Sequence, residues 1–310
     1  MTNIAAIDCG TNSIRLLISR IDENGNLTEI TRRMIIVRLG EGVDATGRFS
    51  DAALARVFAA CDEYSELIKT HEVQALRFIA TSASRDVSNR EEFARGVKAR
   101  LGCDLEVISG ETEAELSFAG ATFALAKNFP GPYLVLDIGG GSTEFVLGSD
   151  KPDFAKSVNI GCVRMTERHL NQDPPTETSI AAAVQDIEDA ISQAAEVVPL
   201  EKAVTVIGLA GSVTTVAAMA LGLDKYDRDA IHGSVISAQS IHRTSEKFLA
   251  MTREQRAALP YMHPGRVDVI GAGALVLDRI VKRLNVDSIV VSEQDILDGI
   301  AISIAKSLSE

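Results

Sequence analysis

The chain has 310 residues, a formal net charge of −12, and 46% hydrophobic against 24% charged residues. That length exceeds one ordinary hydrophobic core and predicts two domains, while the balance excludes a disordered chain. The acidic sign argues against a broad nucleic-acid footprint, and no apolar run reaches the ~20 residues of a membrane-spanning helix.

The opening "MTNIAAIDCG" lacks a basic segment followed by a long apolar stretch, so no secretory leader is expected and the protein is read as cytoplasmic. Ile4–Ile7, "SIRLLIS" and "LTEITRRMIIVRLG" read as a three-stranded meander. Helical spacing begins after Ser50, in "SDAALARVFAACDEYSELIKT". "ALRFIATSASRD" then runs as a strand into a polar loop, and Ser88 or Asn89 caps a helix that stops at Gly102. A strand, "DLEVIS", and a helix, "GETEAELSFAGATFALA", complete the first half.

The pattern restarts at Asn128–Pro132, which predicts lobes over 1–128 and 129–310. The second half repeats strand, turn and strand in "YLVLDIGGGSTEFVLG", with "DFAKSVNIG" as a third strand. Thr176–Val198 is amphipathic at helical spacing, and "AVTVIGLAGSVTTVAAMA" reads as strand, turn and helix. A buried strand, "SIVVSE", precedes a last helix near Gln294–Leu308, expected to pack near the first lobe. Cys9, Cys61, Cys103 and Cys162 form no C-x-x-C pair, and the five histidines show no metal-ligand spacing.

Each half therefore opens with Asp-x-Gly-x-x-Ser at the first turn of a meander, as expected when the fold itself is doubled. An Asp that ends a strand, followed by a tight turn, leaves backbone amides around a concavity that suits phosphate oxygens. Gly10, Thr11 and Asn12 fit this in the first loop, and Gly139, Gly140 and Gly141 in the second. Ser13 and Ser142 add hydroxyl donors. Asp8 and Asp137 repel phosphate directly; they make sense if Mg²⁺ stands between carboxylate and phosphate. A third glycine turn holds Gly211 and Ser212 at the start of a helix, a place for another anion or a nucleotide edge. Arg15, Arg38, Arg85, Arg164 and Arg266 lie in or beside these motifs, and Arg15, Arg85 and Arg266 are candidates for gripping successive phosphates.

The stretches "DCGTNSIRLLI", "ISGETEAELSFAGA", "LDIGGGSTEFVLG", "GLAGSVTTVAAM" and "PGRVDVIGAGALVLDRIV" resemble, in order, the exopolyphosphatase / guanosine pentaphosphate phosphohydrolase family, in its short two-domain form. The resemblance implies an α/β, two-lobed actin-like (ribonuclease H-like) fold, each lobe a mixed β-sheet with flanking helices. It also implies a hydrolase that cleaves a terminal phosphoanhydride with Mg²⁺, or Mn²⁺ in its place. The Glu of the family's "SG-x-x-E-A" stretch is its catalytic base, which maps to Glu113; Glu111 is the less favoured substitute. Asp137 and Glu144 match the family's metal-associated carboxylates, with Asp8 as a further candidate. "SEQDILDGI" departs from the family's usual "SE-x-G-L-R-E-G", removing an Arg.

A carboxylate at Glu113, partly dry and beside other carboxylates, is expected to hold its proton more tightly than usual. The implied substrates are inorganic polyphosphate or, alternatively, guanosine pentaphosphate, an alarmone of the stringent response; neither nucleic acid nor a membrane is implied. A homodimer is compatible with the resemblance. Two other classes stay open: an actin-like kinase or ATPase, and a non-catalytic polyphosphate or alarmone sensor.

Overall fold

The computed structural model describes every residue apart from Asn24, Asp86 and Glu310. The chain divides into two compact units, one of Met1–Gly120 with Ile296–Glu310 and one of Ala121–Asp295.

The first unit is built on a five-stranded sheet: β1 (Thr2–Cys9), β2 (Ser13–Ile21), β3 (Leu27–Ile36), β4 (Ala75–Ala80) and β5 (Leu105–Val107), in the order β3-β2-β1-β4-β5. β1, β2 and β3 pair antiparallel, as short turns dictate, whereas β4 and β5 join parallel through helical crossovers. Because successive side chains alternate faces, β1 feeds two cores. Ala5, Ile7 and Cys9 pack with Leu54, Val57, Tyr64 and Phe93 from the helices Asp51–Thr70 and Arg90–Leu101. Ile4 and Ala6 face the other way, with Leu116, Leu297, Ile300 and Ile304. Burial on both faces explains why β1 reads as a continuous apolar run. The last helix, Ile296–Ser309, thus supplies one cover of the first sheet.

The second unit repeats the plan with β6 (Tyr133–Ile138), β7 (Thr143–Gly148), β8 (Pro152–Val158), β9 (Thr205–Leu209), β10 (Val235–Ser237) and β11 (Ser288–Val291), ordered β10-β11-β9-β6-β7-β8. β6, β7 and β8 form the antiparallel meander, β9 and β11 add in parallel, and β10 closes the edge antiparallel. Its core includes Leu134, Leu136 and Phe145 from the sheet, with Ile187 and Ile191 from the helix Glu177–Ala195 and Leu275 and Ile280 from the helix Ile270–Leu284. Each unit is a mixed sheet with flanking helices, and the order β3-β2-β1-β4-β5 of the first corresponds strand for strand to β8-β7-β6-β9-β11 of the second, to which β10 is added.

Local caps follow the sequence closely. Ser50 Oγ accepts from the Ala53 N–H at 3.2 Å, and Thr176 Oγ1 from the Ser179 N–H at 3.2 Å. Asn89 differs: it precedes its helix without capping it, and its amide instead accepts from the Phe49 N–H and donates to the Phe49 carbonyl. Gly102 ends that helix in the left-handed region, φ 71°. The division between units falls within the helix Gly110–Leu125, upstream of Asn128–Pro132, because the early turns of that helix pack on the first sheet through Leu116. Among the described residues no helix is long and apolar enough to cross a membrane.

Candidate active site

The two Asp-x-Gly-x-x-Ser loops have the same backbone construction. In the first, the Gly10 N–H donates to the Ser13 carbonyl at 2.9 Å; in the second, the Gly139 N–H donates to the Ser142 carbonyl at 3.0 Å. Both loops are also anchored by their carbonyls. Thr11 O accepts from the Gly40 N–H, and Asn12 O from the N–H groups of Val37 and Arg38, at 2.8–3.0 Å. Gly139 O accepts from the Cys162 N–H, Gly140 O from those of Val163 and Arg164, and Gly141 O from Arg164 Nε. In a planar trans peptide a carbonyl and the following N–H point in opposite directions. Tying the carbonyls back therefore turns the amides of Asn12 and Ser13, and of Gly140, Gly141 and Ser142, the other way. That is the amide array an anion requires.

Two glycines outside the candidate site residues make this anchoring possible. A Cβ on Gly161 would lie 2.3 Å from the Gly140 carbonyl carbon, and one on Gly40 would lie 2.2 Å from Thr11 Cγ2. Each follows the third strand of its meander. Thr11 is further fixed by its hydroxyl, 2.9 Å from that of Ser82.

The carboxylates divide unequally. Asp137 and Glu144 are direct cross-strand neighbours on β6 and β7, exposed by only 7% and 1%. Cross-strand neighbours share a face, and like charges placed there are destabilising without a counter-charge. Ser157 Oγ, next in the row on β8, donates to Glu144 Oε1 at 2.6 Å. This donor set fits a hard divalent cation that takes two carboxylates and fills its remaining positions with water or phosphate oxygens. Among the described residues no group of three or more His, Cys, Asp or Glu side chains is arranged to hold a metal unaided.

Asp8 stands at the corresponding place in the first unit but is engaged otherwise. Its cross-strand neighbour is Arg15, whose Nε and Nη2 both donate to Asp8 Oδ2, at 3.0 and 2.6 Å. The expectation of Asp8 beside a metal ion and Arg15 on phosphate thus meets an ion pair between the two.

Glu113 lies in the first turn of the helix Gly110–Leu125, after Ser109, whose Oγ accepts from the Thr112 N–H. It is buried, whereas Glu111 and Glu115 on either side are exposed. Arg85 Nη1 donates to Glu113 Oε2 at 2.7 Å. The pair fixes the carboxylate and occupies one face of Arg85 with it.

The third glycine turn is organised around Arg266. The helix Ala210–Ala220 begins with Ala210 at φ 70°, and a Cβ on Gly211 would meet the Arg266 guanidinium carbon at 2.3 Å. Arg266 Nη1 donates to Thr215 Oγ1, which itself donates to the Gly211 carbonyl at 2.7 Å. Ser212 is buried, packed where a Cβ on Gly273 would strike its hydroxyl, and it hydrogen-bonds the Cys162 thiol. That thiol is pushed up chiefly by burial. Ser212 therefore supports the turn from inside. Nearby, the Tyr226 hydroxyl lies 2.7 Å from Thr214 Oγ1 and donates its proton to Glu293, whose carboxyl is raised by burial against the pull of that hydrogen bond and of Arg228 and Arg266.

The model of the Ppx/GppA phosphatase family matches residues 17–308. Exopolyphosphatase 2 of Mycobacterium tuberculosis is 47% identical, over 98% of this chain and 99% of its own. The crystal structure of an exopolyphosphatase-like protein is 44% identical with TM-score 0.96, covering all of this chain and 99% of that one. That of the Aquifex aeolicus Ppx/GppA family member is 30% identical with TM-score 0.80, again over 100% and 99%. The chain belongs to the Ppx/GppA phosphatase family.

Proposed function

We propose that the protein is a divalent-metal-dependent exopolyphosphatase, which hydrolyses the terminal phosphoanhydride of inorganic polyphosphate and releases orthophosphate. The observation that carries this reading is the second loop, where the amides of Gly140, Gly141 and Ser142 turn outward next to the buried Asp137–Glu144 pair. Similarity to a mycobacterial protein named exopolyphosphatase supports the same substrate class.

In this reading Glu113 receives a proton from the water that attacks the terminal phosphorus, and Arg85 holds its carboxylate in place. The amides of each loop are suited to non-bridging phosphate oxygens, whose charge spreads as the terminal P–O bond breaks. Arg266 supplies a cation for the phosphates that follow, positioned by Gly211 and Thr215. A divalent ion, Mg²⁺ or Mn²⁺, held by Asp137 and Glu144 supplies charge neutralisation for the phosphate oxygens. The glycine of the third turn gives its space to a guanidinium, which favours a phosphate chain over a nucleoside there.

The test is orthophosphate release from medium-chain polyphosphate, with guanosine pentaphosphate and ATP in parallel, for the wild type and Glu113→Gln. Removing a general base lowers turnover by about 10²–10⁴-fold, and the variant is expected to keep its fold and substrate binding. Release from guanosine pentaphosphate alone replaces the substrate. Tight binding of polyphosphate with no release from any substrate refutes the enzyme and leaves a sensor.

A further inference from the structure

The duplicated loops can be compared residue by residue along the sheet. In the second unit the row across the strands is Leu209, Asp137, Glu144, Ser157; in the first it is Ile79, Asp8, Arg15, Met34. The two Asp residues occupy one structural position, and Arg15 and Glu144 occupy the next. Both follow their Asp by seven residues, Asp8 to Arg15 and Asp137 to Glu144. The backbone around them is the same, down to the Gly N–H to Ser carbonyl bond that closes each turn.

What differs is the charge. In the second unit the row brings two buried carboxylates together beside a hydroxyl. In the first, a guanidinium donates twice to the carboxylate, which is only 3% exposed, and a thioether takes the place of the hydroxyl. An arginine cannot lose its charge in a protein, so this cation is permanent. It stands where the second unit has the carboxylate that completes a cation site.

We infer that Arg15 is the built-in cation of the first loop, held by Asp8 as a positioning residue, and that the chain accordingly takes one exchangeable divalent ion and not two. The first loop then receives phosphate oxygens through its amides and a fixed guanidinium, without a metal. The inference rests on the proposed role of Asp137 and Glu144. It adds that a single position, Arg15 against Glu144, decides which copy of the motif binds an ion.

Bound Mn²⁺ is counted by electron paramagnetic resonance on the substrate-free protein, so the readout does not depend on turnover. The wild type is expected to hold one ion, to lose it in Glu144→Gln and to keep it in Asp8→Asn. The double variant Arg15→Glu/Met34→Ser rebuilds the Asp-Glu-Ser row in the first unit and is expected to hold two. Two ions in the wild type, or loss of the single ion in Asp8→Asn, overturns the inference. So does a double variant that folds, by circular dichroism, and still holds one. If the double variant does not fold, the comparison of Asp8→Asn with Glu144→Gln decides alone. No ion in the wild type is a separate failure, since it removes the proposed metal role of Asp137 and Glu144.

Discussion

Gly161→Ala tests whether the second loop is positioned by the segment behind it. The added Cβ would sit 2.3 Å from the Gly140 carbonyl carbon, 2.3 Å from its oxygen and 2.4 Å from the Gly141 nitrogen. All three atoms are backbone, so no side-chain rotation relieves the contact. Restoring an ordinary carbon–carbon separation of about 3.5 Å requires a displacement of about 1.2 Å. The loop is the movable partner, because Gly161 continues into the helix Cys162–Arg168, whose first amides hold the loop carbonyls. A misplacement of about 1 Å at a reacting centre costs on the order of 100-fold in rate. Overpacking adds about 1–3 kcal/mol of destabilisation. The assay is the kcat for phosphate release, read beside a thermal melt. Gly102→Ala serves as control: it strains a left-handed helix end but meets no atom within 4 Å. A fall in kcat of about 100-fold for Gly161→Ala, with Gly102→Ala near wild type, is expected. Wild-type kcat in Gly161→Ala would refute the claim that this contact places the phosphate loop.

The matching change in the first unit should be milder and reparable. In Gly40→Ala the clash is with Thr11 Cγ2, a side-chain methyl, so Gly40→Ala/Thr11→Ser removes the obstacle while keeping the hydroxyl that meets Ser82. Activity lost in the single variant is expected to return in the double, and no recovery means that the methyl is not the cause. Glu293 provides a pH test. Its carboxyl is raised above the usual 4.5 mainly by burial, so the folded state favours the protonated form. Stability from this group is complete below 4.5 and is lost as pH climbs through the raised value. Relative to the wild type, Glu293→Gln should therefore gain in urea midpoint from pH 4.5 towards neutrality, and a flat difference would contradict the assignment.

Most of the fold was legible because it follows from periodicity and from doubling. The meanders, the capped helices at Ser50 and Thr176 and the buried β11 each carry a pattern long enough to read. β10 and the helix Cys162–Arg168 were not read, since three strand residues and seven helical ones are too short to display a period. Asn89 reads as a cap because its residue type and position are right; its use as a clamp on Phe49 is tertiary and has no local signature.

The candidate site separates the same way, and the separation bears on how its residues work. The Gly and Ser positions were legible because a tight turn limits which residues can occupy it. The partners were not: Arg85 is 28 residues from Glu113, and Arg266 is 51 from Thr215, so their pairing exists only once the strands are aligned. These pairings alter the chemistry expected from composition alone. Glu113 shares its buried place with the Arg85 guanidinium, 2.7 Å from its carboxylate. In the proposed reaction that guanidinium would hold the carboxylate at a fixed orientation towards the attacking water. Arg85→Met is the variant that separates the two ideas. If orientation matters, kcat falls while Glu113 is still present; if Arg85 only adds charge for the substrate, KM rises and kcat stays.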